Sequence, residues 1–139
     1  MSNKQIPKLD DTTFNRKQIL QVIKQHDSLS GSDLRGLDLS GINFDGIDLS
    51  NCKMAECDLS QCSFQQANLS NASLWRANLK NANLNQANLA GTDLEWANID
   101  GCTILHAKIQ RTILPLQSLT MEVFNESLHS GNPIRICKN

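Results

Sequence analysis

Large aromatic side chains and long apolar runs are scarce in this sequence. Its 139 residues include four phenylalanines, two tryptophans and no tyrosine, so a core must be built mainly from leucine and alanine. No apolar run approaches the roughly 20 residues that a membrane-spanning helix needs. The first eight residues also lack the apolar stretch of a signal peptide. These absences predict one cytoplasmic domain that does not bind a membrane.

A strong net charge and an even set of cysteines are missing as well. The formal net charge of −1 predicts no general attraction to nucleic acid or anionic lipid, since such partners select a basic surface. Five cysteines are an odd number in a chain without an export signal, which favours reduced thiols. We therefore expect a protein partner rather than direct contact with nucleic acid or a membrane.

Sequence motifs of catalysis and cofactor binding are absent. No G-x-S-x-G, H-E-x-x-H, P-loop or dinucleotide-binding pattern occurs. His26, His106 and His129 are scattered along the chain, whereas a catalytic base needs a partner group held beside it. The sequence therefore predicts no enzyme activity, no cofactor and no metal.

What the sequence does contain is an unbroken repeat of five residues. Every fifth residue from Leu34 to Leu114 is apolar, a period that neither an amphipathic helix nor an alternating strand produces. Two positions before each apolar residue i lies a small or apolar residue, and position i−1 is most often Asp or Asn. Positions i and i−2 can therefore point to one side of an extended segment. Because five residues cannot bury a core alone, the units must stack.

Cysteines occupy the small position of the repeat. Cys52, Cys57, Cys62 and Cys102 all fall at i−2. Their spacing does not match a zinc site, and an interior cysteine behaves as a small apolar residue. We therefore interpret these four as structural, whereas Cys137 lies outside the register.

The stretches ANLSN, ANLKN, ANLNQ and ANLAG resemble the consensus A(D/N)Lxx of the pentapeptide repeat family. The resemblance implies an all-β solenoid, a right-handed quadrilateral β-helix of about four coils with positions i and i−2 inside. The chain would then consist of an N-terminal segment 1–31 with a capping helix, the pentapeptide repeat β-helix 32–116, and a C-terminal segment 117–139 with a second capping helix.

The first flanking segment carries a helix signal. Residues 11–18 offer helix-start side chains, after which Ile19, Leu20 and Ile23 are expected to share one apolar face. We interpret this helix as a cap, because a solenoid exposes an apolar cross-section at each end.

The second flanking segment is similar. A helix can start at Ser118 or Thr120 and stop at 130–133, and we interpret it as the other cap. The alternative for either helix is dimerisation, so the chain is expected to be a monomer or a weak homodimer through a terminal segment. The tail 134–139 alternates apolar and polar residues and is a candidate edge strand.

One face of the solenoid collects both tryptophans. If four units make one coil, residues twenty apart lie on the same face. The candidate protein-binding face then displays Arg35, Glu56, Trp75, Arg76, Glu95 and Trp96. Trp and Arg are enriched among the residues that dominate protein interfaces. The alternatives are that the tryptophans lie under a flanking segment or are ordinary exposed residues.

Stacked Asp and Asn residues form a second candidate set. They occupy position i−1 in two stacks, Asp38, Asp58, Asn78 and Asn98 in one and Asp48, Asn68 and Asn88 in the other. Paired carboxylates could bind a cation. We expect instead that these side chains order the turns through local hydrogen bonds.

The leading functional hypothesis is a non-enzymatic protein-binding scaffold or regulatory protein, similar to small cyanobacterial-type family members, with an unidentified partner. The alternative is a DNA-mimic-type modulator of a type II topoisomerase (gyrase), as some family members are. Residues 34–114 hold eight acidic and six basic residues, which is weak for a mimic of duplex DNA. A structural stabiliser or small-ligand binder ranks last, because a packed interior leaves no cavity.

Overall fold

The structure is a computed structural model and describes residues 14–117 and 119–135. Ser118, Cys137 and the end of the tail therefore lie outside the described residues. The backbone winds into coils of twenty residues, since every parallel bridge joins positions twenty apart, from Asp33 with Lys53 to Asp93 with Ile113. Four pentapeptides make one coil, and each side of a coil carries a single bridging residue rather than a long strand.

Each pentapeptide bonds both to itself and to the next coil. The Leu34 N–H donates to the Lys53 carbonyl (2.8 Å), and the Gly36 N–H donates to the Ala55 carbonyl (3.0 Å). The Leu37 N–H closes a turn on the Leu34 carbonyl (3.3 Å), and Gly36 in that turn has a φ of 72°. A turn with a positive φ at its third residue is of type II. The same bonds recur from unit to unit and pair the backbone groups of the coils.

The interior is formed by the two inward positions of the repeat. Every residue i from Leu34 to Ile104 is buried, and so is every i−2 residue from Ile42 to Ala107. Two phenylalanines of neighbouring coils, Phe44 and Phe64, stack with ring centroids 5.1 Å apart. This burial confirms the orientation that the period of five predicts.

The coil begins one unit before the predicted boundary at residue 32. Leu29 is buried and its N–H donates to the Asp48 carbonyl (2.9 Å), and Gly31 has the positive φ of the other turns (75°). The sequence hides this unit because its i−2 position is Asp27, an exposed polar residue.

Helix α1 (Arg16–Lys24) precedes the coils and starts with a capping box at Asn15. Ile19 and Val22 are buried in the same apolar cluster as the coils, whereas Leu20 is 45% exposed. The expected apolar face was therefore wrong at Leu20, because a helical neighbour lies about 100° around the helix, while a residue three positions on returns to the same side.

Helix α2 (Met121–Ser130) follows the coils. The Thr120 hydroxyl accepts the Val123 N–H (3.3 Å), and Gly131 ends the helix with a φ of 76°. Phe124 is buried in the common cluster. Within the described residues, neither helix is long and apolar enough to cross a membrane.

The chain after α2 returns to the edge of the last coil. The Gly101 N–H donates to the Ile134 carbonyl (2.7 Å), and the Ile134 N–H donates to the Cys102 carbonyl (2.8 Å). Ile134 is fully buried. This residue therefore fills part of the place that a further coil would take.

Candidate functional site

The six residues of the predicted face lie at one corner of the β-helix, which we call the Trp corner. It consists of the paired turn residues that follow position i in four successive coils. The first column contains Arg35, Ala55, Trp75 and Glu95, and the second contains Gly36, Glu56, Arg76 and Trp96. Because stacked strands are about 4.8 Å apart, the four levels of each column extend along the coil axis in regular steps.

Trp75 and Arg76 stack on each other at this corner. The Arg76 guanidinium carbon lies 5.2 Å from the centroid of the Trp75 ring, which is cation–π geometry. Trp75 is half-buried and Arg76 is exposed. The indole therefore packs under a cation instead of being hidden by a flanking segment.

Trp96 is exposed at a position where the backbone favours glycine. Its side chain is 58% exposed and its φ is +62°, a left-handed conformation that is a real outlier for a bulky residue. Neighbouring turns place Gly91 and Gly101 at the same step of the repeat. Arg76, His106 and Arg111 have the same left-handed conformation in their own turns, so the backbone admits long side chains at this position and the distinctive feature of Trp96 is its exposed indole.

A shallow depression lies beside the tryptophans, over the first two coils. It has a volume of about 470 Å³ and is lined by Asp33, Arg35, Gly36, Ala55 and Glu56. Small side chains at Gly36 and Ala55 create it, whereas the third and fourth coils carry indoles in the same columns. The corner thus has a hollow half at Gly36 and Ala55 and a protruding half at Trp75 and Trp96, and the hollow is not apparent from the sequence pattern.

The charges of the depression are partly satisfied within the chain. Arg35 donates from Nε to Asp33 Oδ1 (2.8 Å) and from Nη2 to Asp33 Oδ2 (2.6 Å). These hydrogen bonds hold the pKa of Asp33 below its usual range. Glu56 is exposed and has no ionic partner among the described residues. Its carboxylate remains available to a binding partner.

The stacked Asp and Asn residues bond to the backbone of their own turns. The side-chain oxygen at i−1 accepts the N–H two residues on, at 2.8 to 3.3 Å, from Asp33, Asp38, Asn43, Asp48, Asp58, Asn68, Asn78, Asn83, Asn88, Asp93 and Asn98. This bond accounts for the preference of the repeat for Asp and Asn at this position. It agrees with the expectation that these side chains order the turns.

Two of the turns that lack an Asp or Asn at i−1 use a side chain of the preceding coil instead. Where Ser63 and Thr103 occupy i−1, the next N–H groups are accepted by Asp45 and Asn85 of the coil before (both 2.9 Å). Within the part of the chain that the structure describes, no cluster of three or more His, Cys, Asp or Glu residues could hold a metal ion.

The four cysteines at i−2 lie in the interior as thiols. Burial raises the pKa of Cys52 and of Cys62 to about 11, and that of Cys102 to about 12. Only the thiolate is a nucleophile, so these groups are chemically quiet at neutral pH.

The sequence matches a known family over the coils. A profile described as pentapeptide repeats, in eight copies, matches residues 28–66, 67–104 and 77–114. No curated protein matches the chain. A solved pentapeptide repeat protein of the Arabidopsis thaliana thylakoid lumen is 32% identical, with 58% of this chain and 61% of that chain covered and a TM-score of 0.47.

Two further solved structures are less similar. HetL, a pentapeptide repeat protein involved in heterocyst differentiation regulation in the cyanobacterium Nostoc, is 24% identical over 70% of this chain and 48% of HetL (TM-score 0.34). QnrB1, a plasmid-mediated fluoroquinolone resistance protein, is 16% identical over 72% of this chain and 61% of QnrB1 (TM-score 0.31). This chain spans less than two thirds of the length of each of these three relatives. Since the profile matches run from residue 28 to residue 114, more than half of the chain, the chain belongs to the pentapeptide repeat family, whose members form right-handed β-helices.

Proposed function

We propose that this protein is a non-enzymatic protein-binding scaffold with a regulatory role, and that the Trp corner is its binding site. The observation that carries the proposal is the exposed indole of Trp96 at the same corner as the stacked Trp75 and Arg76. An exposed indole beside a second, half-buried indole forms an aromatic patch that the core does not use. Trp and Arg are also the residues that most often dominate protein interfaces.

The rest of the fold serves this site by holding it rigid. Hydrogen bonds between successive coils fix both columns of the Trp corner, so little conformational entropy is lost on binding. In this proposal α1 and α2 are caps that shield the apolar ends of the coils. Their buried residues Ile19, Val22 and Phe124 pack into the common core. The buried, unpaired thiols fit the cytoplasmic compartment that we include in the proposal.

The proposal is tested by removing both indoles. Trp75→Ala combined with Trp96→Ala should keep the fold, because Ala55 and Gly36 occupy the equivalent positions of earlier coils. Both the tagged wild type and the tagged double variant are used to capture proteins from an extract of the native organism. The double variant should capture much less partner protein than the wild type. A loss of at least tenfold, about 1.4 kcal/mol, is expected for two interface tryptophans.

The matched control is Gln61→Ala, which changes an exposed turn residue at another corner with nearly the same φ (59°). It should capture the same proteins as the wild type. If the double tryptophan variant captures them equally well, the Trp corner is not the binding site.

The second candidate function is modulation of gyrase by mimicry of DNA. The observation in its favour is an acidic first half, since residues 27–66 hold seven acidic and two basic residues. Several of these carboxylates, such as Asp38 and Asp48, bond to their own turns, and they are spread over different sides of the coil. A gyrase supercoiling assay decides between the two functions, because inhibition or drug protection at low micromolar protein would favour this alternative.

A further inference from the structure

The Trp corner is complementary to itself when its direction is reversed. Along the coil axis its charges alternate from one level to the next: Arg35, Glu56, Arg76 and Glu95. The two halves of the corner differ in side-chain size. The first two coils carry the small residues Gly36 and Ala55, and the third and fourth coils carry the indoles of Trp75 and Trp96. A two-fold axis between the second and third coils would bring each half against the other.

We propose that the Trp corner binds a second copy of this chain in an antiparallel, two-fold symmetric dimer. The inference rests on the proposed function, since it requires the corner to be a protein-binding surface, and it names the occupant. A two-fold interface uses the same patch on both copies, so that residue i contacts residue j and residue j contacts residue i.

The geometry of the two columns decides which residues meet. A two-fold axis perpendicular to the coil axis, lying in the interface, reverses the order of the coils but leaves each column facing itself. The first coil of one copy then faces the fourth coil of the other, and the second faces the third. The opposed pairs are Arg35 with Glu95, Ala55 with Trp75, Gly36 with Trp96 and Glu56 with Arg76 of the second copy.

All four pairs are favourable in charge or in shape. Glu56 meets Arg76, and Arg35, which is already paired with Asp33, meets Glu95. Pairing of Glu56 with Arg76 therefore does most to fix the register of the interface. The indoles of Trp75 and Trp96 meet the depression of about 470 Å³ at Gly36 and Ala55. A shift by one coil would oppose Glu56 to Glu56 of the second copy, or Arg76 to Arg76, depending on its direction. Either shift brings like charges together and moves the indoles away from the depression.

Such a dimer would pair the free charge of this corner and cover its exposed indole. Glu56 has no ionic partner within the described part of the chain, and it would gain Arg76 of the second copy. Arg76 can bond to that carboxylate while it remains stacked on Trp75. Trp96, 58% exposed in the single chain, would be covered.

The expected dimer is weak because the corner is small. Two fully exposed tryptophans would bury at most about 300–500 Å² per copy, and Trp75 is already half-buried, whereas a standard interface buries about 800 Å² per partner. We therefore expect a dissociation constant of the dimer in the micromolar range or above. Sedimentation velocity of the full chain from about 1 µM to about 1 mM covers that range.

The test is a charge swap within one chain. Glu56→Arg alone and Arg76→Glu alone should each weaken the dimer at least about tenfold, because like charges then meet twice across the two-fold axis. The double variant E56R/R76E should bring the dissociation constant back to within about threefold of the wild type, since both pairs again carry opposite charges. The control Gln61→Arg changes charge at the same turn position of another corner and should leave the dimer unchanged.

Intrinsic fluorescence gives a second readout, because both tryptophans of the chain lie in the Trp corner. Dimerisation should shift their emission to shorter wavelength as the concentration rises, and the single charge variants should move that shift to higher concentration. A wild type that stays monomeric throughout, single variants that dimerise normally, or a double variant that is not rescued would each overturn the dimer. A monomer whose protein capture still depends on Trp75 and Trp96 would overturn the dimer alone and leave the scaffold in place.

Discussion

At the scale of single residues, the i−2 position does more than fill space. The Cys52 thiol donates to the Leu29 carbonyl (2.9 Å), and the Thr92 hydroxyl donates to the Leu69 carbonyl (2.7 Å). These carbonyls already accept the N–H that closes their own turn, as from Ser32 to Leu29 (3.0 Å), and a carbonyl oxygen has a second lone pair to offer. A fully buried Thr92 is therefore tolerated, because its hydroxyl is hydrogen-bonded.

The buried thiols should resist modification. Burial raises the pKa of Cys52 and of Cys62 to about 11 and that of Cys102 to about 12, from an ordinary value of 9.0. At pH 8 we expect these thiols to react with a disulfide reagent at least about 100-fold more slowly in the native protein than in urea, because the thiolate is the attacking species. The measurement uses a Cys137→Ser background, which removes the thiol outside the described residues.

The same shift predicts how stability depends on pH. A thiol whose pKa is higher in the folded state stays protonated there, while the unfolded chain ionises above pH 9. The contribution of these thiols to the free energy of unfolding is complete below that value and falls as the pH rises from about 9 towards 11.

For the labelling experiment, rapid reaction of the native protein at pH 8 would contradict the interior placement of the cysteines.

At the scale of the turn, the repeat imposes a positive φ on residues of many kinds. The first coil meets this demand with glycine, as at Gly36 (72°) and Gly41 (72°), whereas later coils use side chains such as Gln61 (59°) and Trp96 (62°). Each left-handed L-residue costs about 1–2 kcal/mol. The later coils therefore have side chains at their corners, although each left-handed residue lowers the stability of the fold.

Trp96→Gly should therefore stabilise the protein while it weakens binding. Relief of the left-handed strain gains about 1–2 kcal/mol, and the greater entropy of glycine in the unfolded chain takes back about 0.5–1 kcal/mol. We expect the free energy of unfolding in urea to rise by about 0.5–1 kcal/mol. Self-association and partner capture should fall in the same variant.

Gln61→Gly is the control for that prediction, because Gln61 has the same exposed turn position and a φ of 59°. It should gain a similar stability and leave binding unchanged. A destabilised Trp96→Gly protein would show that the indole contributes more to the stability of the fold than the left-handed backbone costs.

The period of five was sufficient to predict the inward positions and the corner that gathers Trp75 and Trp96. The prediction of the inward positions rests on the alternation of apolar and polar residues, and each unit of the coil repeats this alternation. The unit around Leu29 was missed because the polar Asp27 occupies its i−2 position. The exposure of Leu20 was missed because the neighbour of Ile19 lies about 100° around the helix from it. The depression at Ala55 was also hidden, since it forms where small side chains of two successive coils, Gly36 and Ala55, come together.

At the scale of the whole molecule, charge is distributed unevenly along the coils. Residues 27–66 hold seven acidic and two basic residues, whereas residues 67–114 hold three acidic and four basic ones. Helix α1 brings Arg16 to the acidic end, where its Nη1 donates to the Asp38 carbonyl (3.4 Å) and lies 4.0 Å from the Asp38 carboxylate. An exposed pair of this length contributes little to stability, so the packing of α1 depends on its buried apolar residues.

The coils should unfold as one unit when their centre is broken. Leu69 is fully buried in the middle of the apolar cluster that joins the coils and both helices. Leu69→Asp places a carboxyl group there without a partner, at a cost of at least several kcal/mol, which is comparable to the whole stability of a domain of this size, about 5–15 kcal/mol. Because each coil supplies the backbone edge for the next, loss of the central coil removes support from both sides.

Circular dichroism and urea titration of Leu69→Asp should show loss of the entire native signal, whereas Gln61→Asp, at an exposed turn position, should retain it. A native-like spectrum for Leu69→Asp would contradict the inward orientation of position i.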